Sequence, residues 1–172
     1  DTAISPKGHP FFIPDFSNNV QYEVELVIRI NRVGKHIEEK FAHKYYKQIG
    51  LGIDFTARDI QQELKEKGLP WEKAKGFDGS AVISRKYLDK KELEMADLNF
   101  SLKKNGNVVQ SGNTQKMLFK ICNSFVVAMK HNVHLSYMFS HTFLFQFRLV
   151  EKSMVVIMEF FDGYELLDHV LV

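Results

Sequence analysis

Tyr22-Glu23-Val24-Glu25-Leu26-Val27-Ile28-Arg29-Ile30 sets two glutamates one residue apart in a run that is otherwise almost wholly apolar. The run reads as the core of a strand over residues 21–33. Strand side chains alternate between faces, so Tyr22, Val24, Leu26, Ile28 and Ile30 line one side. Glu23 and Glu25 then share the other side, about 7 Å apart at Cα. Like charges at that spacing repel unless a cation lies between them. The pair is therefore either a site for a hard metal ion or a solvated face with Arg29 as its counter-charge. The strand alone leaves both readings open.

Working outward, residues 1–20 are rich in Pro, Gly and Asn and read as loop with short extended pieces. On the other side, Ile37, Phe41 and Tyr45 fall at helical spacing and predict a short amphipathic helix within 34–48, its Lys/His cluster solvated. Residues 49–55 read as a buried strand. A helix is expected from Ala57 to Lys67, with Thr56 and Asp59 as a variant capping box, Ile60 and Leu64 on its apolar face, and Gly68 and Pro70 ending it. Residues 80–85 read as a strand. Asn105-Gly106 between Phe100-Ser101-Leu102 and Val108-Val109-Gln110 signals a type I′ hairpin. A helix is expected over 115–130 with Met117, Leu118, Ile121, Phe125 and Met129 in the core. Strands follow over 135–172, with Asp162-Gly163 turning a last hairpin.

The whole, residues 1–172, reads as a single domain of mixed, β-rich α/β class with a few short helices. At 172 residues and 45% hydrophobic composition the chain can bury a sizeable core. A formal net charge of +2 is too small to imply a nucleic-acid or anionic-membrane partner. No apolar run is long enough to span a membrane. The single cysteine, Cys122, excludes an internal disulfide and fits a reducing, cytoplasmic setting. The chain opens on Asp1 rather than Met, which leaves a fragment or a processed product open.

Chemistry concentrates after the second strand. Asp54 closes the run Gly52-Ile53-Asp54 and projects from the end of a buried strand beside a helix start, a place where ligand sites often form. Arg58 and Gln61 are three residues apart on one helix face. Both can reach an anionic or carbonyl-bearing ligand beside Asp54, or Arg58 can pair locally with Asp54 or Asp59. Lys75-Gly76-Phe77-Asp78-Gly79 is a further candidate, because glycines beside a lysine let backbone approach a ligand. His131, His134 and His141 are spaced for one helical face, but their flanks read as loop and strand, against a second metal site.

Taken in order, these pieces form a pattern. Glu-x-Glu in an apolar strand is followed by Asp54 with Ala57-Arg58-Asp59-Ile60-Gln61. Lys75-Gly76-Phe77-Asp78 comes next, then Asn105-Gly106 and Gly112-Asn113-Thr114 ahead of Met117-Leu118-Phe119. This order resembles the fumarylacetoacetate hydrolase family, most specifically over residues 20–120. The resemblance implies that family's β-roll or sandwich with short helices, commonly a homodimer. It implies Mg²⁺ or Mn²⁺ held by Glu23, Glu25 and Asp54, oxygen donors that suit hard cations. It further implies that Arg58, Gln61, Lys75 and Thr142 contact the substrate, with Lys75 also catalytic.

The resemblance implies a small-molecule partner, a 2-oxo or 1,3-dicarbonyl acid. The first expectation is metal-dependent hydrolysis of a C–C bond in an acylpyruvate- or fumarylpyruvate-like acid. The alternatives are an oxaloacetate-type decarboxylase or isomerase, a catalytically impaired relative or fragment, and a purely structural domain. Two departures from the family pattern bear on that choice. Nothing in residues 1–20 matches the segment that carries the family's acid/base His and Glu. Thr142-Phe143-Leu144-Phe145 also stands where the family has Thr-Gly-Thr-Pro.

Overall fold

The computed structural model describes residues 2–6, 8–32, 37–117 and 120–123, and the backbone of 145–150 and 153–158. The decisive run is strand β1, Val20–Ile30. It pairs antiparallel with β2, Tyr46–Ala57, over almost its whole length. A six-stranded sheet grows around this pair. β3 (Ala81–Ile83) and β4 (Leu88–Asp89) both pair with β2, while β8 (Ser153–Met158) pairs with the far edge of β1 and carries β7 (Phe145–Val150) outside it. A separate two-stranded sheet is formed by β5 (Asn99–Lys104) and β6 (Asn107–Asn113). The mixed, β-rich class read from the sequence is the one observed.

Register explains where the core lies. Tyr22, Val24, Leu26 and Ile28 stand opposite Phe55, Ile53, Leu51 and Ile49 of β2. Residues directly opposite in an antiparallel pair share a face, so one side of the sheet is continuously apolar. Leu26, Ile28, Ile49 and Tyr46 pack there against Phe100 of the hairpin and Ile121. Phe100 is fully buried and lies opposite Gly112. A Cβ at Gly112 would stand 2.3 Å from the Phe100 ring, so only glycine leaves room for the aromatic side chain.

The hairpin turns as expected. Asn105 (φ 52°) and Gly106 (φ 81°) both take the left-handed conformation that a type I′ turn requires. Helix α2 spans Arg58–Glu66. It ends in a Schellman motif, with Leu69 N–H donating to Leu64 C=O at 2.9 Å and Gly68 N–H to Lys65 C=O at 3.1 Å. Its start departs from expectation. Ala57 is the N-cap and no side chain caps it. Asp59 instead accepts from Ser17 Oγ at 2.6 Å and Asn18 N–H at 2.9 Å, and so anchors the preceding loop.

The amphipathic helix expected within 34–48 is a single turn, α1, at Glu39–Ala42. β2 claims the chain from Tyr46 onward, because pairing with β1 satisfies more backbone groups than continuing the helix. Phe41 is exposed, flanked by Lys40 and Lys44 over its ring, rather than packed inward. Residues 114–116 form a 3₁₀ turn and 121–123 a helical one. The rest of the helix expected over 115–130, the Asp162-Gly163 turn and the three histidines at 131, 134 and 141 lie outside the described residues. The opening segment runs as loop, with Ile4 forming a parallel bridge to Ala81 on β3. Among the described residues no helix is long and apolar enough to cross a membrane.

Candidate metal centre

The second face of the β1–β2 pair carries the acids. Glu23 stands directly opposite Asp54, and Glu25 opposite Gly52. Period-two alternation and antiparallel register thus project all three carboxylates from one side of two hydrogen-bonded strands. Each offers an oxygen within 4.8 Å of the others. Glu23, Glu25 and Asp54 are 6%, 1% and 0% exposed, which sets them apart from a solvated strand face. Gly52 is part of the construction. A Cβ there would meet Val27 Cγ2 at 2.9 Å and Val82 C=O at 3.0 Å, crowding the strand opposite Glu25.

Cations come from outside the two strands. Lys75 closes the short helix α3 (Glu72–Lys75) and is 2% exposed. Its Nζ donates to Glu23 Oε2 at 2.5 Å and to Asp54 Oδ2 at 2.9 Å. The turn after it is closed by Ser80, whose Oγ donates to the Lys75 carbonyl at 2.6 Å. The Ser80 carbonyl in turn accepts from Phe55 N–H of β2 at 2.7 Å, so the lysine is tied to the strand that carries Asp54. Gly79 (φ 69°) supplies the left-handed residue of that turn.

Arg58, the first residue of α2, pairs with Glu23 Oε1 through its Nη2. It also donates to Gln61 Oε1 at 2.7 Å and Gln21 Oε1 at 3.3 Å. The sequence alternative in which Arg58 pairs with Asp54 or Asp59 is not what forms. Its side chain keeps 28% exposure, against 3% for Lys75, so Arg58 and Gln61 stand at the mouth and Lys75 at the floor. Arg29, offered by the sequence as a counter-charge for the glutamate pair, lies over the Tyr87 ring and donates to Gln48.

The structure therefore brings together Glu23, Glu25, Asp54, Arg58, Gln61 and Lys75. Thr142 lies outside the described residues. Sequence reasoning overlooked Thr56, whose hydroxyl donates to Glu23 Oε2 at 3.2 Å. Its place before the helix suggests a cap, yet its period-two relation to Asp54 already puts it on the acidic face. Three carboxylates facing two cations leave one net negative formal charge in the cluster. Oxygen-only donors, buried and convergent with residual negative charge, fit a small hard divalent cation. Glu23, Glu25 and Asp54 are the residues that would hold it.

The family described as fumarylacetoacetate (FAA) hydrolase C-terminal matches residues 1–135. The chain belongs to the fumarylacetoacetate hydrolase family. Among curated relatives, it is 42% identical over 109 residues to an uncharacterized protein of Pyrococcus abyssi, covering 63% of this chain and 48% of that one. It is 39% identical over 120 residues to the mitochondrial oxaloacetate tautomerase FAHD1 of Rattus norvegicus, covering 70% of this chain and 54% of the relative. Among solved structures, it resembles fumarylpyruvate hydrolase from Pseudomonas aeruginosa in complex with Mn²⁺ and pyruvate. That match has a TM-score of 0.63 at 27% identity, over 69% of this chain and 51% of the other. The chain spans about half the length of the curated relatives it matches.

Proposed function

We propose that this chain carries the metal-binding core of an enzyme that interconverts the keto and enol forms of a 2-oxo dicarboxylic acid of the oxaloacetate type. The observation that carries the reading is the buried convergence of Glu23, Glu25 and Asp54 with Lys75 between two of them. We rank the isomerase alternative ahead of the C–C hydrolysis expected first. A tautomerase relative at 39% identity supports that order, and a family structure with Mn²⁺ and pyruvate supports the pairing of a divalent ion with a 2-oxo acid.

A bound Mg²⁺ or Mn²⁺ supplies Lewis acidity toward the oxygens of a 2-oxo acid. The protein side chains do the rest. Lys75 places a fixed cation beside the point where enolate charge develops. Arg58 and Gln61, at the mouth, take the distal carboxylate of the substrate and set its orientation. Thr142 is a further candidate for that carboxylate. Tautomerisation moves one proton between carbon and oxygen and consumes no water. Positioned cations stabilise the enolate through which it passes, whereas hydrolysis also requires an activated water.

The test follows the loss of enol absorbance of oxaloacetate with and without Mg²⁺ or Mn²⁺, beside an assay for acylpyruvate cleavage. We expect divalent-dependent tautomerisation that Glu25→Ala abolishes while its circular dichroism stays native. Acylpyruvate cleavage without tautomerisation would return the assignment to the hydrolase. Full activity after exhaustive chelation would remove the metal from it.

A further inference from the structure

We propose that Gln110, on the separate β5–β6 hairpin, is a positioning residue for the carboxylate cluster. The proposal rests on the metal reading above and extends it to a residue outside the acidic face. The observation is a bidentate grip on the edge of β1. Gln110 Oε1 accepts from Val24 N–H at 2.8 Å, and Gln110 Nε2 donates to Tyr22 C=O at 2.7 Å. Those two backbone groups flank Glu23.

The place in the sheet shows why the grip matters. Among the described residues, the pairing of β1 with β8 spans Leu26 to Arg29 and does not include Glu23 or Glu25. On that outer edge, backbone groups of Tyr22 and Val24 need a partner, because buried or half-buried N–H and C=O groups are costly to leave unsatisfied. A primary amide carries one acceptor and one donor at the spacing of a peptide group. Gln110 thereby imitates one rung of an antiparallel ladder. It closes an edge that no strand among the described residues reaches, and fixes the backbone on either side of the glutamate that Lys75, Arg58 and Thr56 all engage.

The hairpin is held in place for this task. Leu102 packs among Tyr22, Val24 and Ile53 on the apolar face, and Lys104 lies over the Tyr22 ring at 5.5 Å. Tyr22 and Val24 are thus fixed by side-chain packing from one sheet face and by Gln110 along the strand edge. Groups that orient metal ligands from behind typically change metal affinity about 10- to 100-fold when removed.

The experiment uses the full chain and Mn²⁺ as probe, with affinity read by calorimetry or electron paramagnetic resonance. Amide hydrogen exchange at Val24 and thermal unfolding are measured alongside. Gln110→Met keeps the length of the side chain and removes both hydrogen bonds. Gln110→Asn keeps the amide but cannot span both backbone groups, and serves if the Met variant does not fold. We expect faster exchange at Val24 and about a 10-fold weaker Mn²⁺ affinity in a folded variant. Native Mn²⁺ affinity with fast Val24 exchange would overturn the positioning role and leave Gln110 a merely structural residue. A wild-type chain that binds no Mn²⁺ would overturn the metal reading, and this inference with it.

Discussion

The two faces of β1 are built from alternating residues of one strand, yet they obey different physics. On one face Tyr22, Val24, Leu26 and Ile28 are held by apolar burial against Phe100, Ile49 and Ile121. That attraction is non-directional, and its strength follows the area removed from water. On the other face Glu23, Glu25 and Asp54 are buried to a similar degree, but their stability depends on which charges stand beside them. Taking carboxylates out of water costs several kcal/mol each, and only partners of opposite sign in good geometry offset it. The apolar face therefore answers to shape and volume, and the acidic face to which charges stand beside it.

Removing one cation should separate the faces most clearly. Lys75→Met leaves Glu23 and Asp54 buried without the ammonium between them. The expected loss is about 3–5 kcal/mol, on the order of a 10 °C drop in Tm for a chain this long. Added Mn²⁺ should restore part of it by binding the folded state. A Lys75→Met variant that melts like the wild type, with or without Mn²⁺, would show that the acidic face is not electrostatically coupled.

Leu26→Ala probes the other side of the same strand. Leu26 is 1% exposed, and truncation there should cost about 2–5 kcal/mol through lost burial and the cavity left behind. Unlike the lysine variant, its deficit should not respond to Mn²⁺ beyond the stabilisation that the wild type also receives. Equal rescue of both variants above that level would erase the distinction between the faces.

A smaller effect is expected away from both. The Ser17 hydroxyl and the Asn18 amide hold the half-buried Asp59 carboxyl below its ordinary pKa. A lowered folded-state pKa contributes stability above the unfolded value, and that stability is lost as pH falls through the folded one. Ser17→Ala should move the Asp59 titration upward, toward the ordinary carboxylate range, as followed by carboxyl carbon resonances. It should soften the loss of stability on acidification without altering Mn²⁺ affinity. An unmoved Asp59 titration would remove the hydroxyl as its cause.

Much of this was legible residue by residue. The alternation of 22–30, the Asn105-Gly106 turn and the Gly68 stop of α2 are local signals, each decided within a few residues by backbone sterics and side-chain period. The failures share a cause. Asp59 fits a capping box by its spacing, but it answers to a loop some forty positions earlier. The periodicity of 37–45 predicts a short helix, and only the single turn Glu39–Ala42 forms, because β2 takes the chain from Tyr46 onward. Arg58 had two acids nearby in sequence and paired with a third, Glu23.

The sequence by itself determined that Glu23 and Glu25 share a face, since a strand leaves their side chains no other direction. It could not determine what that face meets. Strand register set Asp54 opposite Glu23 and a glycine opposite Glu25. The turn from Lys75 to Ser80 delivered an ammonium to the floor, and the hairpin brought Gln110 to the edge behind Glu23. Alternation is a property of adjacent residues, whereas register and delivery depend on elements tens of residues apart. Only the folded chain could turn a pair of like charges into a buried, convergent carboxylate cluster with its counter-ions.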